Sequence, residues 1–137
     1  RQSPHTNYAA VIPIFGERAL KQKELIIHGD GQQTRDFVYV TDVVRANLMA
    51  AQTPHLGRGE IFNIGTGQET SILELKNLIE KIVGYPLKFH HETPRAGDNA
   101  KNVANISQAQ ILLDFSPQYN LFKGLQETLA WINTTIS

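Results

Sequence analysis

Arg35 is the residue whose type and position most clearly suggest chemistry, because it closely follows a glycine-rich turn at residues 29–31 (Gly-Asp-Gly). A guanidinium is planar and always charged, and its forked N–H groups can bind two phosphate oxygens at once. Each charge-assisted hydrogen bond of this kind contributes about 1.5–3 kcal/mol net. The alternative interpretation is a hairpin turn followed by a charged strand residue. The neighbouring Asp36 would point to the opposite strand face, where its carboxylate could hold backbone groups.

A second candidate segment lies at residues 94–98 (Pro-Arg-Ala-Gly-Asp), which contain Arg95 and Asp98. Most such pentapeptides are surface turns with a solvated ion pair, an interpretation that needs no ligand. In the functional interpretation, Arg95 supplies a second cation for a diphosphate, and Asp98 accepts hydrogen bonds from a ribose diol. Two arginines on separate loops and one carboxylate match a nucleoside diphosphate better than either segment alone.

Two further patterns are candidates for a cofactor site and a metal site. Residues 65–67 (Gly-Thr-Gly) follow a predicted strand and precede a helix, as a dinucleotide-binding loop does. The third glycine of that fingerprint is missing, however, and no acidic residue follows about 20 residues later. His90 and His91 are adjacent, so in a strand they point to opposite faces and cannot share a metal ion without a bulge. We therefore expect no cofactor and no metal at these positions.

Composition limits the classes of partner. The chain has 137 residues, enough for one ordinary domain, and its 13 basic and 13 acidic residues cancel. No overall field draws it to nucleic acid or to an acidic membrane, so an anionic ligand must be held by a few placed cations. It contains no cysteine, no long apolar stretch and no secretory signal. We expect a cytoplasmic protein without nucleic-acid or membrane partners.

The elements that would position these residues follow from apolar spacing. It predicts helices from about residues 12–21, 41–52, 71–83 and 120–134, with a short helix opening at Ser107. Ser71 and Glu74 have capping-box spacing, and Gly84 should end that helix. Strands are predicted at residues 25–28, 37–40, 60–64 and 87–91. The class is α/β or α+β, with too few strands for a self-sufficient doubly wound sheet.

Residues 29–42 resemble the Gly-Asp-Gly-x-Gln-x-Arg-Asp-(Phe/Tyr)-x-x-Val-x-Asp signature of the extended short-chain dehydrogenase/reductase (SDR) superfamily. Residues 62–65 are similar to its (Tyr/Phe)-Asn-Ile-Gly strand, residues 95–98 to its Arg-x-Gly-Asp loop, and residues 104–109 to its Ala-Asp-Ile-Ser-Lys-Ala segment. The resemblance covers essentially the whole chain. Its opening residues look most like epimerases that act on UDP-glucose or UDP-N-acetylglucosamine.

The resemblance implies that Arg35 and Arg95 contact the diphosphate of a UDP-sugar, and that Asp98 binds the ribose. It also implies that Ile26 and His28 line the pocket for the base, with Val11 nearby. His28 stands where the family commonly has Tyr or Phe, which would alter stacking on the base.

The resemblance also implies NAD-dependent chemistry, in which a UDP-sugar 4-epimerase moves a hydride from sugar C4 to NAD. The family uses a Tyr-x-x-x-Lys helix and a glycine-rich cofactor loop. Tyr119 and Lys123 have the Tyr-x-x-x-Lys spacing, but they lie at the start of a helix without the usual Ser or Thr partner. We therefore expect no catalytic residue and no NAD-binding residue in this chain, and no activity from it alone.

On this interpretation, residues 1–137 form the C-terminal nucleotide-sugar-binding domain, an α+β portion of an extended SDR without the N-terminal Rossmann sheet that binds NAD. Residues 41–67 would dock on that sheet. Without it they would leave an apolar patch and a free strand edge, so we expect self-association, and a homodimer for the full-length protein. The alternatives are a nucleotide-sugar 4,6-dehydratase, a UDP-glucuronate decarboxylase, a non-catalytic nucleotide-sugar-binding module, or a structural domain without a ligand.

Overall fold

The structure, a computed structural model, describes residues 2–3, 10–57 and 59–136. Its helices are α1 (Val11–Leu20), α2 (Val40–Gln52), α3 (Ile72–Val83), α4 (Ser107–Leu113) and α5 (Leu121–Ile136). Its strands are β1 (Leu25–His28), β2 (Thr34–Arg35), β3 (Thr70–Ser71), β4 (Phe89–Glu92) and β5 (Lys101–Asn102). The predicted α/β class is confirmed. The described residues group into two compact units: unit 1 falls within residues 1–33, 71–100 and 122–137, and unit 2 within residues 34–70 and 101–121.

Unit 1 is built on a parallel pair of strands. β1 pairs with β4 in a register that places Leu25 opposite Phe89 and His28 opposite Glu92. Alternate residues of β1 point to opposite faces, so Leu25 and Ile27 are buried while Ile26 and His28 are half-buried. The core of the unit comes from three helices and these strands, and it contains Phe15, Ala19, Leu25, Ile27, Leu75, Ile79, Leu125, Leu129 and Ile132.

Helix α3 begins and ends as the sequence predicts. The Ser71 hydroxyl accepts a hydrogen bond from the Glu74 N–H at 3.1 Å, and the Glu74 carboxylate accepts one from the Ser71 N–H at 2.7 Å. Hydrogen bonds from the Ser71 backbone and hydroxyl keep the pKa of Glu74 below its ordinary value. Gly84 ends the helix at a φ of 81°, in the left-handed region that favours glycine.

The turn after β1 is packed against α3. Gly31 lies at a φ of 77°, and a Cβ added there would come within 2.8 Å of the Leu73 side chain. The Leu73 N–H also donates to the Gly31 carbonyl at 3.1 Å. These contacts fix the path of the glycine-rich turn, because any side chain at Gly31 would displace it from the helix.

Unit 2 contains the segment that carries Arg35. β2 pairs in parallel with β5, with Thr34 opposite Lys101 and Arg35 opposite Asn102, and the strand order of this small sheet is β3-β2-β5. Helix α2 packs on α4. Their buried contacts come from Ala46, Ala109, Leu113 and Phe115, with Phe62 and Ile64 among the partly buried residues packed against them.

Two predicted strands are wrong. Residues 37–40 are not a strand, because β2 ends at Arg35 and α2 already begins at Val40. Residues 60–64 are irregular, and no strand of the described part of the chain pairs with them. Alternating apolar residues indicate extended backbone, whereas a strand also needs a partner for its hydrogen bonds. The predicted strand at residues 87–91 is present but displaced to Phe89–Glu92.

Helix starts in unit 2 also differ from the prediction. Thr41 and Asp42 do not cap α2, whose N-cap is Tyr39 without a side-chain hydrogen bond. Ser107 is likewise the first residue of α4, and the Asn105 side chain accepts from its N–H at 3.1 Å. Capping residue types are correctly found near both helix starts, but Asp42 instead accepts from the distant backbone of Gln118 and Tyr119, and at α4 the local acceptor is Asn105.

Candidate functional site

A cavity of about 660 Å³ opens in unit 1 where β1 and β4 end. The strands are parallel, so their carboxyl ends meet at one edge and their following loops form the walls. The cavity is lined by His28, Gly29, Asp30, Gln33, His91, Glu92, Pro94, Arg95 and Asp98. The structure therefore brings together three of the six predicted site residues, His28, Arg95 and Asp98.

Local hydrogen bonds fix the wall after β1. The Gly29 N–H donates to the Glu92 carbonyl at 2.9 Å, which extends the strand pairing by one step. The Gln32 N–H donates to the Asp30 carboxylate at 2.9 Å, and the Gln33 side-chain amide donates to the His28 carbonyl at 2.7 Å. The turn is thus held by its own side chains.

The wall after β4 carries the charged pair predicted from the sequence. The Asp98 N–H donates to the Arg95 carbonyl at 3.2 Å, so the two side chains leave one tight turn. Both side chains are exposed, and no carboxylate of the described residues lies within ion-pair distance of Arg95. A guanidinium in this state can bind an anion without first breaking an internal ion pair.

Two imidazole rings complete the cavity. His28 Nδ1 lies 3.3 Å from the Thr93 carbonyl oxygen and 3.8 Å from a carboxylate oxygen of Glu92. His91 Nδ1 lies 2.7 Å from the Gly29 carbonyl oxygen. The sequence analysis did not find His91 or Glu92 as site residues, because their place in the cavity depends on the register of two strands far apart in sequence.

The remaining predicted site residues lie elsewhere. Ile26 is half-buried in the middle of β1, opposite His90, and Val11 is half-buried at the first residue of α1. Neither lines the cavity. Arg35 belongs to unit 2, where it is half-buried on β2 and its guanidinium donates to the Thr34 carbonyl at 2.7 Å.

Asp36 performs the backbone role that the sequence predicts for it. Its carboxylate accepts from the N–H groups of Thr66 at 2.8 Å, Gly67 at 2.9 Å and Ala104 at 3.3 Å. A Cβ added at Gly65 would come within 2.5 Å of a carboxylate oxygen of Asp36, so the loop approaches that group closely. One carboxylate thus fastens two loops of unit 2.

These hydrogen bonds bear on cofactor and metal binding. A dinucleotide loop binds the pyrophosphate through free backbone N–H groups, but those of Thr66 and Gly67 already donate to Asp36. Residues 65–67 therefore do not fit NAD. Within the described ranges, no group of three or more His, Cys, Asp or Glu side chains is placed to hold a metal ion, and no helix is long and apolar enough to cross a membrane.

Comparison with known proteins gives a consistent result. The NAD dependent epimerase/dehydratase family matches residues 1–65. A putative UDP-glucose 4-epimerase of Methanocaldococcus jannaschii is 41% identical over 132 residues, which cover 96% of this chain and 41% of that protein. The crystal structure of a Thermotoga maritima UDP-glucose 4-epimerase with UDP-glucose is 40% identical, with a TM-score of 0.91 over 100% of this chain and 43% of its own. The chain belongs to the NAD-dependent epimerase/dehydratase family.

Members of this family bind NAD. A Bacillus cereus UDP-glucuronic acid 4-epimerase, solved with UDP-glucuronic acid and NAD, is 33% identical with a TM-score of 0.89, over 98% of this chain and 42% of its own. The chain spans about two fifths of the length of the curated relatives it matches. The family also includes other nucleotide-sugar chemistries, such as a UDP-N-acetyl-alpha-D-glucosaminuronate decarboxylase of Bacillus cytotoxicus that is 34% identical over 130 residues.

Proposed function

We propose that this chain is the nucleotide-sugar-binding part of an NAD-dependent UDP-sugar 4-epimerase. UDP-glucose, UDP-galactose or their N-acetyl analogues are the proposed substrates. The supporting observation is that one cavity of unit 1 contains His28, Arg95 and Asp98, three residues that the family resemblance assigns to the base, the diphosphate and the ribose. The cytoplasmic location expected from the sequence stays a prediction.

Each proposed role matches the chemistry of its side chain. The guanidinium of Arg95 is exposed and can donate two parallel hydrogen bonds to phosphate oxygens. The carboxylate of Asp98 accepts hydrogen bonds, as a vicinal diol requires. His28 supplies a flat ring for the base, with Ile26 on the same face of β1. Two further roles rest on the resemblance alone. Arg35 is proposed as a second cation for the diphosphate, and Val11 is proposed to lie near the base.

This chain matches about two fifths of the length of its relatives. We propose that NAD binding and hydride transfer belong to the portion of the relatives that this chain does not match. Residues 41–67 are proposed to dock on that part, with support from unit 2 itself. Val44 and Leu48 of α2 are 53% and 56% exposed, and Ile61 is 80% exposed. Large apolar side chains that are spaced along one helix face usually meet another surface.

Titration calorimetry of the chain with UDP-glucose tests the binding proposal. Loss of the charge-assisted bonds in Arg95→Ala should weaken binding about tenfold to a hundredfold. Lys81→Ala, which removes an exposed cation from the last turn of α3, serves as the matched control and should leave affinity unchanged. Equal affinities of the wild type and Arg95→Ala would contradict the proposed diphosphate site.

The alternatives within the family differ in the reaction that they catalyse. Relatives named as a decarboxylase and a reductase are 34% and 35% identical to this chain over 130 and 121 residues. Incubation of the full-length protein with UDP-glucose and with UDP-glucuronate, followed by product analysis, separates a 4-epimerase from a decarboxylase. A non-catalytic module would bind both and convert neither.

A further inference from the structure

The two histidines of the cavity are each held in one tautomer by a backbone carbonyl. A carbonyl oxygen only accepts hydrogen bonds, so the Nδ1 atoms of His28 and His91 must carry the protons that point to Thr93 and Gly29. In the neutral ring, Nε2 is then a bare acceptor. No hydrogen bond from another described residue reaches Nε2 of either ring. Both rings therefore present an acceptor while neutral and a donor once protonated.

The charged groups around these rings are mostly acidic. The cavity wall supplies the carboxylates of Asp30, Glu92 and Asp98 against the single guanidinium of Arg95. At neutral pH these four lining side chains carry more negative than positive charge. A nucleoside diphosphate is itself an anion, so this balance weakens its binding.

Other titratable groups lie next to the same strands. On β4, His90 lies 3.5 Å from Glu92 and 3.1 Å from Glu24. On α3, the Lys76 ammonium lies 2.7 Å from Glu80 and 5.0 Å from the centre of the Phe89 ring, which meets the His91 ring edge to face. The carboxylates of Glu24 and Glu92 thus lie beside His90, whereas Lys76 is already paired with Glu80.

We propose that His28 and His91 make nucleotide binding in this cavity pH-dependent, by changing from neutral acceptors to cationic donors as the pH falls. This inference rests on the proposed function, because it concerns the nucleotide of that site. Protonation of both rings adds two positive charges to the wall. It also turns two ring nitrogens into donors suited to phosphate and carbonyl oxygens.

The expected size follows from the exposure of the rings. An attraction between partly exposed charges contributes about 0.2–1 kcal/mol, which corresponds to an affinity change of about one-and-a-half-fold to fivefold for each ring. UDP-glucose is a suitable probe because its diphosphate is esterified at both ends. Its charge stays constant between about pH 5.5 and about pH 8, so a change in affinity reports on the protein.

The test is calorimetry with UDP-glucose at about pH 5.5 and about pH 8, at fixed low ionic strength. The wild type should bind severalfold more tightly at the lower pH, and the double variant H28Q/H91Q should lose most of that difference. His55→Asn is the matched control, since it removes an exposed histidine of unit 2 at a left-handed position that Asn tolerates, and it should keep the wild-type difference.

NMR of the histidine rings in the wild type keeps the test valid if H28Q/H91Q disturbs folding. The ring signals of His28 and His91 should shift when UDP-glucose is added to the wild type. Equal affinity at the two pH values, or a pH difference that H28Q/H91Q retains while folded, would overturn this inference and leave the proposed function intact. No binding at either pH would overturn both.

Discussion

At the scale of single residues, two buried or half-buried carboxylates hold the loops of unit 2. Asp36 binds the backbone of residues 66, 67 and 104, and Asp42 binds the N–H groups of Gln118 and Tyr119 at 3.0–3.1 Å. The Asp42 side chain is 2% exposed and also accepts from Arg45 at 3.0 Å. Asp36 and Asp42 stand at two of the Asp positions of the family signature. In the structure, both carboxylates accept hydrogen bonds from backbone N–H groups and so fix the loops that carry them.

The pKa of Asp42 gives this network a pH dependence. Burial raises the pKa, but hydrogen bonds from the Tyr119 and Gln118 backbone and the Arg45 guanidinium outweigh burial and hold the pKa below its ordinary value of 3.8. A depressed folded-state pKa stabilises the protein above the unfolded-state value, and the stability is lost as the pH falls through the folded-state value.

We predict that Asp42→Asn lowers the free energy of unfolding at pH 7 by about 1–3 kcal/mol, because an amide presents N–H groups toward backbone donors. The loss should be smaller at a second, acidic pH, because the wild-type carboxyl also becomes neutral as the pH falls through its lowered folded-state pKa. Urea unfolding at the two pH values measures both. Asp114→Asn, at an exposed left-handed position, is the matched control and should change little. An equal loss for Asp42→Asn at both pH values would contradict this account of the network.

At the scale of elements, helix α2 presents an apolar stripe that the described part of unit 2 does not cover. Val40, Val44 and Leu48 are four residues apart, so they lie on one face of the helix, and all three are more than half exposed. Ala46 of the same helix is buried against α4, so the helix is apolar on two sides. A helix of this kind needs a second partner.

We predict that the stripe makes the isolated chain self-associate. Analytical ultracentrifugation should show a concentration-dependent increase in mass, and Val44→Lys with Leu48→Lys should shift the chain toward the monomer. Ile111→Lys, which changes an equally apolar residue that is 80% exposed on α4, is the control and should leave the association unchanged. A monomeric wild type at all concentrations would show that the exposed stripe has no such effect.

Signals within a few residues of each other predicted most of these elements. The errors fall where the structure depends on a partner far away in sequence. Ser71, Glu74 and Gly84 correctly define α3, because caps act within a few residues. Residues 37–40 and 60–64 alternate like strands, but whether they form a ladder depends on a partner that spacing cannot reveal. The same limit hid His91 and Glu92, while Arg95 and Asp98 could be found because they share one turn.

At the scale of the whole molecule, the proposed nucleotide site lies in one cavity of unit 1, and the described residues most similar in pattern to the family's cofactor loop and Tyr-x-x-x-Lys pair make other contacts. In the loop at residues 65–67, the N–H groups of Thr66 and Gly67 donate to Asp36. Tyr119, which has a lysine four residues later, stacks on Tyr39 with 4.4 Å between the ring centres. We predict that the purified chain gives no turnover in a coupled epimerase assay with UDP-galactose and NAD. Any measurable turnover would contradict this, and its loss in Tyr119→Phe would then place the reactive centre at Tyr119.

The central claim is that the cavity at the carboxyl ends of β1 and β4 binds a UDP-sugar, and NMR mapping of backbone amides during a UDP-glucose titration tests it most directly. We expect saturable shifts concentrated at residues 28–33 and 91–98, which in Arg95→Ala require about tenfold to a hundredfold more UDP-glucose to reach the same extent. Shifts confined to other parts of the chain, or no shift at all from a folded protein, would contradict it.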